Sequence, residues 1–364
     1  MTSALYVGLM SGTSLDGVDA VLADLSGPRP VLLGNAHVPF DPLLRRELLA
    51  LNSSGADEIE RAARAGNELA QRYADAVAAV LAKSKVPPSS VRAIGSHGQT
   101  VRHRPERGYT TQIGNAARLA ELTGIRVVAD FRSRDVAAGG QGAPLAPAFH
   151  AAVFAQAGES RVVLNLGGIA NLSFLPPQGA VTGFDSGPGN CLLDLWAARQ
   201  LGKPHDEGGA WAAAGTLIPA LLERMLCEPY FAAAPPKSTG RDLFNDGWMQ
   251  GMLRGGEDPQ AVQATLLELT ARSVADAVLR HCRGARRVIV CGGGTKNGAL
   301  MRHLAALAAP STLEASDRHG IDPQLVEAAA FAWLAQRALD GKPGNLPSVT
   351  GAREARVLGA VYPA

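Results

Sequence analysis

The feature that most constrains the fold is a strand–glycine turn–strand unit that occurs twice. Residues 4–10 form a short apolar run ending in Ser11-Gly12-Thr13-Ser14, and residues 18–25 alternate as a return strand. About 155 residues later the pattern restarts: 161–166 is an apolar strand, Gly167-Gly168 a turn and 169–175 the return. A dinucleotide-binding fold opens instead with strand, glycine turn and helix. Two copies of one supersecondary unit predict two related lobes facing a cleft. The chain is long enough for this, because 364 residues at 46% hydrophobic exceed what a single core usually absorbs.

The remaining periodicities fill in the lobes. Residues 31–40 read as a third strand, 58–82 as a long amphipathic helix, 91–96 as a buried strand, 115–123 as a helix capped by Asn115 and 125–129 as a strand. In the second half, 181–184 reads as a strand, 190–201 as a helix and 204–256 as a Gly/Pro/Ala-rich insertion or cap. Helix 261–281, strand 287–291 opening onto Gly292-Gly293-Gly294, and helix 324–339 follow, with a helix over 353–361 closing the chain. The expected lobes are 1–130, with 342–364 packing back on it, and 131–341 with its insertion near 204–256.

Charge and cysteine usage exclude several classes. The formal net charge is +2 and the only short basic segment, 280–287, reads as a solvated helix end, so no nucleic-acid surface is expected. The four cysteines, Cys191, Cys227, Cys282 and Cys291, form no Cys-x-x-Cys pair, which predicts a reduced, cytoplasmic protein. No apolar run approaches the roughly 20 residues of a membrane span, and residues 1–10 do not read as a signal peptide. Gly-x-x-x-x-Gly-Lys-[Ser/Thr], His-Glu-x-x-His and Gly-x-Ser-x-Gly are all absent.

Three glycine turns end apolar strands: Gly12-Thr13-Ser14, Gly167-Gly168 and Gly292-Gly293-Gly294. Each alone is compatible with an ordinary turn. Together they form a coherent ATP site, with phosphate between two turns and adenine over the third. Asp185, in Phe184-Asp185-Ser186-Gly187-Pro188-Gly189-Asn190, sits at a strand end beside a turn, suited to a general base or to capping the next helix. Ser96-His97-Gly98-Gln99-Thr100 places polar side chains in a loop, as sugar sites require. Asp130-Phe131-Arg132 offers a guanidinium for an anionic group, or for Asp130 or Asp135. Glu327 is a charge on an Ala-rich helix and needs a partner, protein or ligand.

Taken together, these segments resemble one family, the anhydro-N-acetylmuramic acid kinases. The opening Gly8-Leu9-Met10-Ser11-Gly12-Thr13-Ser14-Leu15-Asp16-Gly17-Val18-Asp19 is similar to the family's signature. So are Ser96-His97-Gly98-Gln99-Thr100, Gln112-Ile113-Gly114-Asn115, Ala129-Asp130-Phe131-Arg132, Asn165-Leu166-Gly167-Gly168-Ile169, Pro236-Lys237-Ser238-Thr239-Gly240-Arg241 and Glu327-Ala328-Ala329-Ala330-Phe331. The match runs end to end and in order; Ser186 stands where Thr is expected and keeps the hydroxyl.

The resemblance implies a two-lobed actin-like ATPase fold, α/β and ribonuclease H-like, with a duplicated mixed sheet. It also implies ATP with Mg²⁺, a homodimer, and a reaction that opens the 1,6-anhydro bridge with water while O6 takes the γ-phosphoryl group. Under it Asp185 is the base. Gly12, Thr13, Ser14, Leu15, Asp16, Gly17, Val18, Asp19, Gly167, Gly168, Gly292, Gly293 and Gly294 bind ATP. His97, Gln99, Thr100, Asp130, Arg132, Gly187, Asn190 and Glu327 contact the sugar, and the metal ligands stay unassigned. The competing readings are a kinase for an ordinary hexose, a sugar-responsive regulator and an actin-like filament protein.

Overall fold

A computed structural model describes residues 4–12 and 15–364, so Thr13 and Ser14 lie outside the described residues. The chain divides into two units. One takes the chain up to Val153 and again from Leu325 to Ala364; the other is Phe154–Gln324.

In the first unit β1 (Leu5–Met10), β2 (Gly17–Asp24) and β3 (Val31–Pro39) form an antiparallel meander. β4 (Val91–Ser96) runs parallel to β1, β5 (Gln99–Arg104) and β6 (Tyr109–Ile113) form a separate hairpin, and β7 (Val127–Ala129) runs parallel to β4. In the second unit β8 (Arg161–Leu166), β9 (Ile169–Leu175) and β10 (Thr182–Pro188) form the meander. β11 (Arg287–Cys291) is parallel to β8, and β12 (Thr312–Ala315) to β11. The last strand, β13 (Ala360–Tyr362), returns to the first unit antiparallel to β7.

The sheet orders are β13-β7-β4-β1-β2-β3 and β10-β9-β8-β11-β12. Counted within each sheet and leaving out β13, both carry third, second, first, fourth and fifth strand in that order, with the same directions. The repeat seen in the sequence as strand–turn–strand is therefore a whole five-stranded sheet. This is the duplicated ribonuclease H-like plan of actin-like ATPases.

The first sheet is covered on both faces, and β1 shows how. Val7 and Leu9 pack with Leu69, Tyr73 and Val77 of helix Glu58–Ser84, whereas Tyr6 packs with Phe331 and Leu334 of helix Val326–Leu339. Alternate side chains of a strand point to opposite faces, so one apolar run serves two cores. Helix Val326–Leu339 can lie this close because Gly8 and Gly95 are glycine: a Cβ at either would overlap the carbonyl of Ala328 or of Phe331. In the second unit Val162 and Leu164 share a core with Leu266 and Val274 of helix Pro259–His281. The segment 204–256 adds short helices to that core through Leu221, Met225, Phe244 and Met249.

Two expectations are corrected. The boundaries expected at 130 and 341 fall at 153 and 324. Buried Asp135 joins the segment after 130 to the chain end, accepting from Gly142 N at 2.7 Å, Asn345 Nδ2 at 2.6 Å and Thr350 Oγ1 at 2.7 Å. Residues 353–361 are not helical either. Arg356 N donates to Asn345 Oδ1 at 2.7 Å and Arg353 N to Ala138 O at 3.0 Å, so their backbone donors are committed elsewhere before β13. Strands β5, β6 and β12 were not foreseen. No helix of the described residues is long and apolar enough to cross a membrane.

Asp135→Ala removes the acceptor of three buried donors. A loss of about 3 kcal/mol or more is expected, read as a lower urea midpoint, with activity retained in the fraction that stays folded.

Candidate active site

Strand direction places the candidate groups. β1, β4 and β7 run in parallel, so their carboxyl ends share one edge of the first sheet. There the chain continues into Gly12, His97 and Asp130 respectively. In the second sheet β8 and β11 are parallel, and β10, antiparallel to β9, runs the same way. Their carboxyl ends deliver Gly167, Gly292 and the Asp185–Gly187 stretch. Open α/β sheets bind ligands at this edge.

Asp185 lies where β10 loses register, between Asp185 and Gly187. Its Oδ2 accepts from Ser238 Oγ at 3.0 Å and from Thr239 N at 3.0 Å. Its backbone is held as well: its N–H donates to Lys237 O at 3.1 Å, and Tyr230 Oη donates to its carbonyl at 2.7 Å. Oδ1 has no hydrogen-bond partner among the described residues. Burial raises the carboxyl above the ordinary aspartate value, against the opposing effect of Thr239, Ser238 and Lys237. The capping alternative does not hold, because helix Cys191–Leu201 begins at Asn190 and Asp185 bonds to segment 237–239 instead. Ser238, Thr239 and Tyr230 carried no assignment from sequence; the Lys237-Ser238-Thr239-Gly240-Arg241 run was the signal for the first two, and Tyr230 had none.

The glycine stretches of the second unit converge. Asn190 N donates to Gly167 O, Gly189 N to Gly168 O and Cys191 N to Gly168 O, at 2.9, 2.9 and 3.0 Å. Asn190 Nδ2 donates to Leu166 O and Gly167 O, both at 3.1 Å. Gly292 has φ of +86° and a Cβ there would run into Asn165 and Leu166, while one on Gly294 would lie 2.6 Å from Leu166 Cβ. Only glycine fits both the backbone and the space here. Gly293 lies beside Gln324, whose Nε2 donates to Gly292 O at 2.9 Å. Gly187 faces Phe231, 2.7 Å from where its Cβ would be.

The first unit gathers a second cluster. Arg132 Nη2 and Nε donate to His97 Nε2 at 2.9 and 3.3 Å, and Nη1 donates to Gly142 O at 2.8 Å. Burial, then the Arg132 charge, pushes His97 down to about 3, so near neutral pH the ring is uncharged, with Nε2 accepting and Nδ1 protonated. Burial lowers Arg132 to about 10, opposed by Glu327 and Asp135, so it stays charged. Glu327, in the first turn of helix Val326–Leu339, is raised by burial; Arg132 opposes and Asp19 reinforces the shift. Asp19 bonds His37 Nδ1 at 2.8 Å.

The other predicted residues are placed as follows. Gln99 Nε2 donates to Gly12 O at 3.3 Å, and Thr100 Oγ1 accepts from Gln112 at 3.2 Å. Exposed Asp130, at φ +57°, accepts from Ser133 N at 3.3 Å. Leu15 and Val18 are core side chains, Gly17 opens β2 and Asp16 is exposed.

Comparison with known proteins decides the family. A family model described as anhydro-N-acetylmuramic acid kinase matches residues 4–364. The chain belongs to the anhydro-N-acetylmuramic acid kinase family. It is 54% identical over 366 residues to the anhydro-N-acetylmuramic acid kinase of Nitrosospira multiformis, covering 100% of both chains. It is 56% identical over 375 residues to that of Variovorax paradoxus, again covering 100% of both. Among solved structures it aligns with an activator of 2-hydroxyisocaproyl-CoA dehydratase from Clostridium difficile at 13% identity and a TM-score of 0.46, covering 90% of this chain and 92% of that one. Membership makes the chain an ATP-dependent kinase of a small sugar substrate.

His97 and His150 are both pushed down to about 3 by burial. Their imidazole resonances should not titrate between pH 5 and 8 in an NMR pH series. The unfolded chain binds their protons near 6.5 and the folded one near 3, so stability is full above about pH 6.5 and falls as pH drops toward 3.

Proposed function

We propose that the kinase couples two bond changes on 1,6-anhydro-N-acetylmuramic acid. Water attacks C1 and gives its proton to Asp185 as the C1–O6 bond breaks, and O6 forms a bond to the γ-phosphorus as ADP leaves. The products are N-acetylmuramic acid 6-phosphate, ADP and a proton, in cell-wall recycling. The observation that carries this reading is the asymmetry of Asp185: two donors fix Oδ2, and Oδ1 is left to accept from water. Its raised carboxyl is the better base for it, since a base works best when its pKa approaches the working pH.

Gly12 to Asp19, Gly167-Gly168 and Gly292 to Gly294 would hold ATP through backbone amides. Arg132 uses three of its N–H groups on His97 and Gly142 and keeps others for the lactyl carboxylate. Neutral His97 supports that guanidinium without competing for charge, and Glu327, with Gln99, Thr100, Asp130, Gly187 and Asn190, completes the sugar contacts. Mg²⁺ would reach the site with the triphosphate and neutralise its charge. Among the described residues no group of three or more His, Cys, Asp or Glu is arranged to hold a metal, and the ligands of the ion stay unassigned. The kinase would act in the cytoplasm as a homodimer.

A coupled ADP-release assay with ATP, Mg²⁺ and the anhydro sugar checks the reading. Asp185→Asn should keep the fold and lose about 10³-fold in kcat. The acid limb of the parent's kcat/KM profile should lie above the ordinary aspartate value, with activity rising as pH rises through it. Turnover on glucose but not on the anhydro sugar would make the chain an ordinary hexose kinase.

A further inference from the structure

The segment that clamps Asp185 carries one more charged group. Two residues beyond Thr239, exposed Arg241 extends its guanidinium to the β8–β9 turn: a Cβ placed on Gly168 would lie 3.9 Å from Arg241 Nη2. The Arg241 carbonyl accepts from Asn245 Nδ2 at 3.2 Å; its charge acts on Asp194 of helix Cys191–Leu201, but among the described residues its guanidinium forms no ion pair within 4.0 Å. An exposed arginine ordinarily settles on a nearby acid or in bulk water. This one lies against a glycine turn with no Cβ to screen the backbone.

A second observation comes from the same segment. The Thr239 hydroxyl is buried without a hydrogen-bond partner. A buried polar atom left unpaired costs about 1–3 kcal/mol, so segment 237–241 holds an unmet polar contact beside the base.

We propose that Arg241 is a catalytic residue of phosphoryl transfer: its guanidinium donates hydrogen bonds to the non-bridging oxygens of the γ-phosphoryl group. This rests on the reading that the Gly167-Gly168 turn takes phosphate. The covalent step is unchanged, with the O6–P bond forming and the bond to the ADP oxygen breaking. Arginine contributes charge and a planar fork of donors where negative charge spreads over the phosphoryl oxygens. The location also explains how two chemistries keep step. Ser238 and Thr239 hold the base for water, and Arg241, two residues on, holds the group that O6 attacks. One short segment then positions both ends of the reaction, so hydrolysis without phosphorylation is disfavoured.

The test compares Arg241→Ala and Arg241→Lys in the ADP-release assay, with fluorescent ATP-analogue binding measured alongside for these variants and for Gly168→Val. The expected result for Arg241→Ala is a fall in kcat of about 100-fold or more, with KM for the anhydro sugar and nucleotide affinity within about threefold of the parent. Added guanidinium ion should restore part of the rate, and Arg241→Lys should fall between. A kcat within about threefold of the parent overturns the proposal, as does a loss that guanidinium does not rescue or that nucleotide binding shares equally. If Gly168→Val binds nucleotide normally, the phosphate-site reading itself fails and takes Arg241 with it. If Gly168→Val abolishes binding while Arg241→Ala keeps its rate, only the role of Arg241 fails.

Discussion

The direction of the strands is the constraint on which everything else depends. In each unit the first strand pairs antiparallel with its sequence neighbour and parallel with the fourth strand. The parallel pairs β1/β4 and β8/β11 need long crossovers, and the antiparallel pairs need only tight turns. Glycine turns and chemistry-bearing loops therefore fall at the carboxyl edge, while the crossovers supply the helices that cover the faces. Reversing one strand would carry His97 or Gly292 to the opposite edge without changing any side chain. The site is a consequence of hydrogen-bond direction before it is a consequence of residue type.

The two clusters solve different electrostatic problems with the same tool. Burial raises both Asp185 and Glu327, but their surroundings differ. Around Asp185 the neutral donors Ser238 and Thr239, with the charge of Lys237, temper the shift, leaving a carboxyl raised above the ordinary aspartate value. Around Glu327 it is the charge of Arg132, itself held by a histidine that burial keeps neutral. A protonated His97 would set two cations face to face at hydrogen-bond distance. The low imidazole value is thus what lets Arg132 keep its orientation and its charge together.

Much of this was legible in the sequence because it is local. The duplicated strand–turn–strand, the long helix Glu58–Ser84 and the three glycine turns each rest on periodicity or punctuation within a few residues. The five-strand repeat was only half visible: 91–96 and 125–129 read as strands, but β12, four residues long, did not, so the second copy lacked its last strand. The end of the chain was misread as helix because its pattern gives no hint that Asn345 and Ala138 would claim its backbone N–H groups. The boundary at 130 followed the end of β7, whereas buried Asp135 fastens the residues beyond it to Asn345 and Thr350, more than 200 positions away. No window of sequence contains such a contact.

The same limit explains why Asp185 stood out as a candidate base in the sequence and its supports did not. A carboxylate between a strand and a Gly-Pro turn announces itself, but Ser238 and Thr239 lie more than 50 residues later in a segment with weak periodicity. Their role is geometric: they spend one carboxylate oxygen so that the other has a fixed direction. A base with both oxygens free would rotate and accept from water in many poses. One with both oxygens bonded would accept from none. Two neutral donors fix the orientation of one oxygen, and although the Lys237 charge also lowers the carboxyl, burial outweighs all three and keeps it raised. That balance, set by two small polar residues on a segment packed into the second unit's core, is what converts a buried aspartate into a directed one.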